Sequence, residues 1–551
     1  MDSLTFIIFC PLIGAVLIAL IPRSFEVLFR GITLGATGLS LAGALWIFSE
    51  FELGTARIQY EELVPWVYSL GINYHLGVDG LNVGLLLMGA LVAFAATCVS
   101  SEIRERQKEF YLLLLLMTGG ILGAFASLDL FFFYFFHELA LVPTFIMIGV
   151  WGRGANRREA AFTITLYLSL GALIALVGLV ALYLETGAHT FDVVAMTRHV
   201  AAHPVSESAQ NIIFPLLMIG FGILVSLWPF HTWAPLGYGA APTATAMLHA
   251  GVIKKFGLYG LLRIAVPLLP EGAQRWVGLL AVLCLGNLVY CGLVAMRQKN
   301  FGLLIANSSV AHMGFAFLGI ASLSLIGVTG AVVVMIAHGL LAALTFGLGG
   351  YLHQRLGTLE MAQMGGLLRR LPFVGGVLIM AMLAGCGLPG FANFPGEILV
   401  LFGAFIRHPV IVSLAAWAGL IIGAVYALRA VRVMLHGELP QRRHDTPDAA
   451  NAWRKLPYAL LLAALVVFGC FPRLLTDRIV ASAQQAIASV QGSSVAEIQH
   501  ADDRLFGGSE PTKASIGQRG AFYAGQEGIA AGRSRRQSGC SIRLTGNAAH
   551  E

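Results

Sequence analysis

Residues 221–263 read FGILVSLWPFHTWAPLGYGAAPTATAMLHAGVIKKFGLYGLLR. Most of this stretch is apolar enough to lie in lipid, yet it carries a helix breaker and several ionisable side chains. Pro229 has no backbone N–H and its ring clashes with the preceding turn, so a membrane helix containing it is kinked or broken there. His231 follows the break. A second apolar run, from Pro242 to Arg263, holds His249, Lys254 and Lys255, and neither lysine is near enough to an end to snorkel simply to the interface. A lysine at a bilayer centre costs roughly 2.5–3.5 kcal/mol. Such charges persist where protein or water surrounds them, which makes them candidates for a transport path; the plain alternative is a lysine paired with a helix-end carbonyl.

Working outward, the whole chain shares this character. Hydrophobic residues make up 57% and charged residues 12%, whereas soluble domains carry about 25% charge. The chain therefore reads as an all-α polytopic membrane protein. Its net charge of +6 is spread over loops and tail, which gives no stripe for nucleic acid. The seven cysteines lack metal-ligand spacing, and the closest pair, Cys284 and Cys291, would stand two helical turns apart. No disulfide framework and no zinc or iron–sulfur site is expected.

About 30 Å of hydrocarbon at 1.5 Å per residue asks for runs of about 20 apolar residues. Such runs fall near 4–22, 30–49, 82–100, 111–127, 130–151, 162–184, 211–230, 242–266, 277–296, 302–321, 327–351, 373–405 with a break, 409–429 and 457–472. That is about 14 spans. Lysine and arginine gather in alternate connections, as in Arg104, Arg106 and Lys108, in Arg153, Arg157 and Arg158, and in Arg355, Arg369 and Arg370. This asymmetry places those connections in the cytoplasm and both termini outside. The segment from 476 to 551 is polar, rich in Gly, Ala, Ser and Gln, and reads as a disordered tail, above all beyond about Val490.

Other spans repeat the theme of buried polar groups. His137 and Glu138 lie in the fifth, with Tyr134 on the same face as Glu138. Ser308, Ser309 and His312 lie in the tenth and His338 in the eleventh. In the twelfth, Gly387, Pro389, Gly390, Pro395 and Gly396 stand just ahead of Glu397. A lone histidine on an apolar helix is more often a satisfied core residue than a proton carrier. Together, however, Glu138, Lys255, His312, His338 and Glu397 are what a proton relay through a membrane requires. Lys254 is the weaker candidate, because consecutive helical residues point about 100° apart and one path cannot take both lysines. The interruptions in the seventh and twelfth spans, five helices apart, point to two inverted repeats, spans 4–8 and 9–13. The expected division is 1–110 for the first three helices, 111–266 and 277–429 for the two repeats, and 430–475 for a cytoplasmic loop and the last helix.

At these residues the chain resembles subunit M of the NADH:quinone oxidoreductase family, respiratory complex I, over roughly 1–475. The motifs that carry the likeness are HLGVDGLN (75–82), SLDLFFFYFFHELALVP (127–143), WPFHTW (228–233), AGVIKKFGLYGLLR (250–263), LIANSSVAHMGF (304–315), MIAHGL (335–340) and GLPGFANFPGEILVLFGAF (387–405). The resemblance implies an antiporter-like fold and proton translocation coupled to quinone reduction. It assigns Glu138 as the fifth-helix acid, Lys255 as the central lysine, His312 and His338 as connecting histidines, and Glu397 as the exit-side acid. It also implies no cofactor in this chain, with flavin, iron–sulfur clusters and quinone held by partner subunits, L- and N-type neighbours in the membrane arm, and a bacterial inner membrane. The sequence departs from the family at Leu224, where a lysine paired with the fifth-helix acid is usual, and at Leu236, Tyr238, Ala240 and Asn300, where polar or acidic residues are usual. The N-terminal half is thus expected to differ in its proton path. Two other readings share the residues: an Mrp-type cation/proton antiporter or membrane-bound hydrogenase subunit of the same fold, and a structural paralogue that does not pump.

Overall fold

The structure, a computed structural model, describes residues 3–438 and 448–492. Helices α1 (Ser3–Leu20) and α2 (Glu26–Glu50) lead into an antiparallel hairpin of β1 (Gln59–Val67) and β2 (Ile72–Val78). Then come α3 (Val83–Val99), α4 (Gln107–Ala126), α5 (Leu130–Trp151), α6 (Arg157–Thr186), a short amphipathic α7 (Val193–Ala202) and α8 (Glu207–Val225). A segmented stretch follows: α9 (Trp233–Ala240), α10 (Thr243–Gly251), α11 (Phe256–Gly260) and α12 (Val266–Leu268). Helices α13 (Pro270–Leu285) and α14 (Gly292–Arg297) are joined by a π turn into one rod, and α15 (Phe301–Ala321) and α16 (Leu325–Leu356) come next. The remainder is α17 (Pro372–Gly385), α18 (Asn393–Phe405), α19 (Pro409–Trp417) and α20 (Gly423–Leu435), again joined by a π turn, α21 (Ala452–Cys470) and α22 (Arg473–Ala488).

Among the described residues, 12 helices are long and apolar enough to cross a membrane. The eighth and twelfth expected spans are made of shorter pieces, which is why a rule of continuous length passes over them. Burial sorts the helices by position. The 32-residue α16 is apolar all round and buried along nearly its whole length, as a central helix must be. By contrast, α6 leaves Phe162, Leu166, Leu170, Leu173, Val177 and Leu184 exposed along one flank, a surface suited to lipid.

The seventh span breaks where the sequence places the interruption, but α8 already ends at Val225, because Ser226 takes a left-handed conformation (φ 71°). Backbone groups freed by the break still need partners in a medium without water. Asn287 supplies them: its amide donates to Ser226 O at 2.9 Å and its Oδ1 accepts from Trp228 N at 2.8 Å, while a further bond to Val310 O at 3.0 Å ties it to α15. The twelfth span breaks between Gly385 and Asn393, with Gly387 (φ 68°) and Gly390 (φ 99°) in conformations that glycine adopts without strain. Ala392 N is satisfied by Leu465 O of α21 at 2.9 Å.

Three features differ from expectation. The eighth span, expected as a continuous helix over 242–266, is interrupted at Val252, passes through a single 3₁₀ turn at Ile253–Lys255, and ends in a π turn and α12. Close packing accompanies the break: a Cβ on Gly251 would stand 3.0 Å from Gly339 O of α16. The β-hairpin is the second. Its strands mix apolar and polar residues without a clean alternation, and its pairing contains irregular register. It caps the start of the first span, where Glu62 Oε1 accepts from Leu4 N at 2.8 Å. The third is α22, which occupies the head of the segment expected as a disordered tail from 476. Leu475, Ile479, Ser482, Ala483 and Ala486 recur at helical spacing and are buried; small residues keep that face from standing out as an apolar run. Gly80 N donates to Ser482 Oγ at 2.9 Å, and the Arg478 guanidinium donates to Phe48 O at 2.9 Å. The rest of the expected tail, beyond 492, lies outside the described residues.

Candidate functional site

The break in the eighth span decides where the lysines go. Residues of a 3₁₀ turn diverge by about 120°, so Lys254 and Lys255 face different neighbours. Both are fully buried. Lys255 Nζ donates to Ala250 O at 2.7 Å, a carbonyl freed by the interruption, and lies 2.9 Å from His338 Nδ1 on α16. Lys254 Nζ points to α15, 3.3 Å from Ser309 O and 3.5 Å from Ser309 Oγ, with the Tyr238 ring centroid 5.5 Å away. The helix-end carbonyl of the plain reading is thus present at Lys255, together with a titratable partner.

From His338 the polar groups continue. Its ring centroid is 5.8 Å from that of His312 on α15, and His312 Nδ1 lies 3.3 Å from Glu397 Oε1 on α18. That last pair is close without the alignment of a hydrogen bond. Ser308, Ser309, His312, His338, Thr345 and Tyr426 help line a cavity of about 20 Å³, room for about one water molecule. Tyr426 on α20 closes it, its hydroxyl 2.8 Å from Ser308 Oγ and 3.4 Å from His312 Nε2. Glu397 finds its place because of the twelfth-span break: a Cβ at Gly387 would lie 2.6 Å from Glu397 Oε2. Lys255, His338, His312 and Glu397 therefore form one buried polar cluster.

Glu138 does not join that cluster. Its Oε1 lies 3.7 Å from His137 Nδ1, and neither atom has a hydrogen-bond partner among the described residues. His137 stacks on Phe256 at 3.9 Å, and Phe133 covers the same ring at 4.1 Å. No hydrogen bond joins Glu138 or His137 to either lysine among the described residues. His231 bonds near its own break, 3.2 Å from Pro229 O, and His249 pairs with Tyr238 at 3.2 Å.

Sequence reasoning missed one buried ion pair. Arg263 Nη1 donates to Asp79 Oδ2 at 2.7 Å, and Arg263 Nε donates to Tyr259 OH at 3.1 Å. Asn82 adds a bond to the same hydroxyl at 3.3 Å. The signal was available: Asp79 in HLGVDGLN and Arg263 at the end of an apolar run are both charges that need a partner. A further cluster lies off the spans, where His75 on β2 sits between Asp192, 2.5 Å from Nδ1, and Glu61, 2.9 Å from Nε2. Burial opposes the His75 charge, but the two carboxylates outweigh it and raise its pKa. Asp192, itself disfavoured by burial, is held below its ordinary range by His75 and by backbone N–H groups at the start of α7.

Segmented helices packed around buried lysines, histidines and carboxylates define an antiporter-like membrane protein. Comparison with known proteins is specific: the family model described as NADH:quinone oxidoreductase/Mrp antiporter, transmembrane, matches residues 127–423, and the chain belongs to that family. It is 33% identical to NADH-quinone oxidoreductase subunit M of Rhodobacter capsulatus, in a match covering 87% of this chain and 95% of the relative. A chain of respiratory complex I from Thermus thermophilus superposes with a TM-score of 0.79 at 30% identity, covering 88% of this chain and 99% of that one. A chain of the Mrp complex from Dietzia sp. DQ12-45-1b shares the fold, with a TM-score of 0.78 at 19% identity over 90% of this chain and 99% of that one.

Proposed function

We infer that the chain is a proton-translocating membrane-arm subunit of a complex I-like NADH:quinone oxidoreductase. Quinone reduction in partner subunits would be coupled to proton transfer along Lys255, His338, His312 and Glu397, with Glu138 as a separate acid and Lys254 beside the path. The observation that carries this reading is the 2.9 Å contact of Lys255 Nζ with His338 Nδ1, beside a water-sized cavity. An ammonium at that distance donates to a neutral imidazole nitrogen and can pass its proton there. Water in the cavity would bridge to His312, whose Nδ1 faces Glu397. Hydrolysis or redox chemistry is not required of this chain, and flavin, iron–sulfur clusters and quinone are assigned to other subunits.

The wider assignment follows the same reading. In this reading the segmented eighth and twelfth stretches would add two crossings to the 12 helices that are long and apolar enough among the described residues. Spans 4–8 and 9–13 form the two inverted repeats, and L- and N-type subunits flank the chain. Alternating basic connections orient it in a bacterial inner membrane with both termini on the periplasmic side. The Mrp-type reading is supported by fold alone.

The test is Lys255→Ala and Lys254→Ala in the assembled complex, with proton uptake into inverted vesicles measured alongside NADH oxidation. Loss of uptake in Lys255→Ala with a milder effect of Lys254→Ala is expected. Equal uptake in wild type and Lys255→Ala would overturn the relay, and a purified complex without flavin or iron–sulfur partners would move the chain to the Mrp reading.

A further inference from the structure

A second polar space lies apart from the lysine–histidine cluster. A cavity of about 400 Å³ opens where the start of α2, the end of α3, the start of α10, the end of α16 and the start of α21 come together. Its volume falls in the range of ordinary ligand sites. Arg30, Arg104, Arg355 and Arg454 line it, with Asn451 and Trp453 beside them. Four guanidiniums sharing one cavity repel each other, and an arginine does not give up its proton to relieve this.

No carboxylate pairs with any of the four among the described residues. Glu102 also borders the cavity, but its carboxylate is already engaged: it accepts from Thr243 N and Thr243 Oγ, both at 2.8 Å, and from Arg153 Nη2 at 3.1 Å. Arg30 donates from Nη2 to Cys98 O at 3.3 Å, while its Nε is buried without an acceptor. Arg355 lies over the Tyr351 ring at 5.5 Å, an arrangement that leaves its charge uncancelled. A positively charged space with an orphaned buried donor calls for an anion with several acceptor oxygens.

We propose that this cavity binds a phosphate-bearing anion, with the headgroup of an anionic phospholipid as the principal source and free phosphate as the other. Guanidinium forks match phosphate oxygens in pairs, so one phosphodiester can satisfy more than one arginine at once. The position fits a lipid. Basic pockets between the ends of membrane helices take anionic headgroups, and Trp453, 44% exposed, is a residue type that settles at the headgroup level. The site lies at the entrance to α10, whose far end carries the lysine break, so its occupant would brace Thr243 and the helix that leads to Lys255.

The experiment uses the purified complex. Tightly bound phospholipid is counted by mass spectrometry and phosphate assay for wild type, for the double variant Arg355→Gln/Arg454→Gln, and for Arg198→Gln at an exposed site elsewhere. Wild type and Arg198→Gln should retain at least one more anionic phospholipid per chain than the double variant. Delipidated wild type should gain several degrees of thermal stability from phosphatidylglycerol vesicles and less from phosphatidylcholine vesicles, a difference the double variant lacks. Stabilisation by inorganic phosphate with equal lipid content would assign the same site to free phosphate. Equal lipid content with no response to either probe would overturn the proposal and leave the arginines to an acidic protein segment. Should the double variant not assemble, the two probes applied to wild type and to Arg104→Gln decide the matter in the same way.

Discussion

Glu138 and Glu397 are both carboxylates on membrane helices, and each has a histidine nitrogen close by, at 3.7 Å and 3.3 Å. Their surroundings differ. Glu397 is nearly closed off from solvent, sits 3.3 Å from His312, and continues through His338 to Lys255. Glu138 keeps 33% of its side chain exposed and lies 3.7 Å from His137, whose ring stacks on Phe256 rather than leading on to a lysine. Similar residue pairs join a larger polar cluster only where a helix interruption lets the next polar group in. At Glu397 the breaks of the eighth and twelfth spans do this; around Glu138, α5 runs unbroken from Leu130 to Trp151.

The largest expected effect breaks the comparison directly. Lys255→Ala should lower proton uptake coupled to NADH oxidation by at least about tenfold, the low side of what a positioned proton-transfer group contributes. Glu397→Gln should follow it closely, whereas Glu138→Gln should cost less. Equal losses in the two glutamine variants, measured in the same vesicles, would show that Glu138 is wired to the cluster after all. Leu224→Lys sharpens the point. If the missing seventh-helix cation is what isolates Glu138, Leu224→Lys should make pumping more sensitive to Glu138→Gln, and unchanged sensitivity would reject that cause.

A third substitution addresses the scaffold that holds the breaks open. Asn287→Ala leaves Ser226 O and Trp228 N without their partner, at about 1–3 kcal/mol for each buried group left unsatisfied, and removes a second bond at Val310 O. Thermal unfolding of the complex should shift downward, with a larger shift than for Ser413→Ala, which touches only its own helix. A shift no larger than that control would mean the broken backbone is satisfied in another way.

The smallest effect is one of pH, in the hairpin rather than the relay. His75 has a raised folded pKa, so its pairing stabilises the fold fully below its unfolded value, about 6.5, and the contribution is lost as pH rises through the folded value. Asp192 has a lowered folded pKa, so its contribution is present above its unfolded value, about 3.9, and is lost as pH falls through the folded value. Hydrogen exchange over 59–78 should therefore accelerate, beyond the intrinsic chemical rate, as pH rises past the His75 range. His75→Gln should flatten that dependence, and a profile identical to wild type would exclude His75 as its source.

Much of this was legible in the sequence. Pro229 and the Gly387–Pro395 run announced two breaks, and charges set in apolar runs announced Lys255, His312, His338 and Glu397. The break at Val252 was not legible, because it carries no proline and depends on how closely Gly251 approaches Gly339 on a helix far along the chain. The hairpin was hidden for a related reason: its strands gain their reason to exist from Glu62 meeting the first helix and His75 meeting Asp192. The isolation of Glu138 followed in outline from Leu224, but the stacking of His137 on Phe256 required the fold.

The contact of Gly80 with α22 also bears on how the chain is made. The N–H of Gly80 finds its acceptor in Ser482, 402 residues later, and Phe48 O finds its donor in Arg478. At about 5–20 residues per second a ribosome needs roughly 20–80 s to supply that partner. Throughout this interval the Gly80 N–H lacks the acceptor it has in the finished fold. A Cβ at Gly80 would stand 2.0 Å from Arg478 O, so a side chain there would leave the early helices to insert normally and obstruct only the last step of assembly. Closure of this contact therefore waits for α22, and lesions far apart in the gene, at Gly80 and at Ser482, should share one late-arrest phenotype.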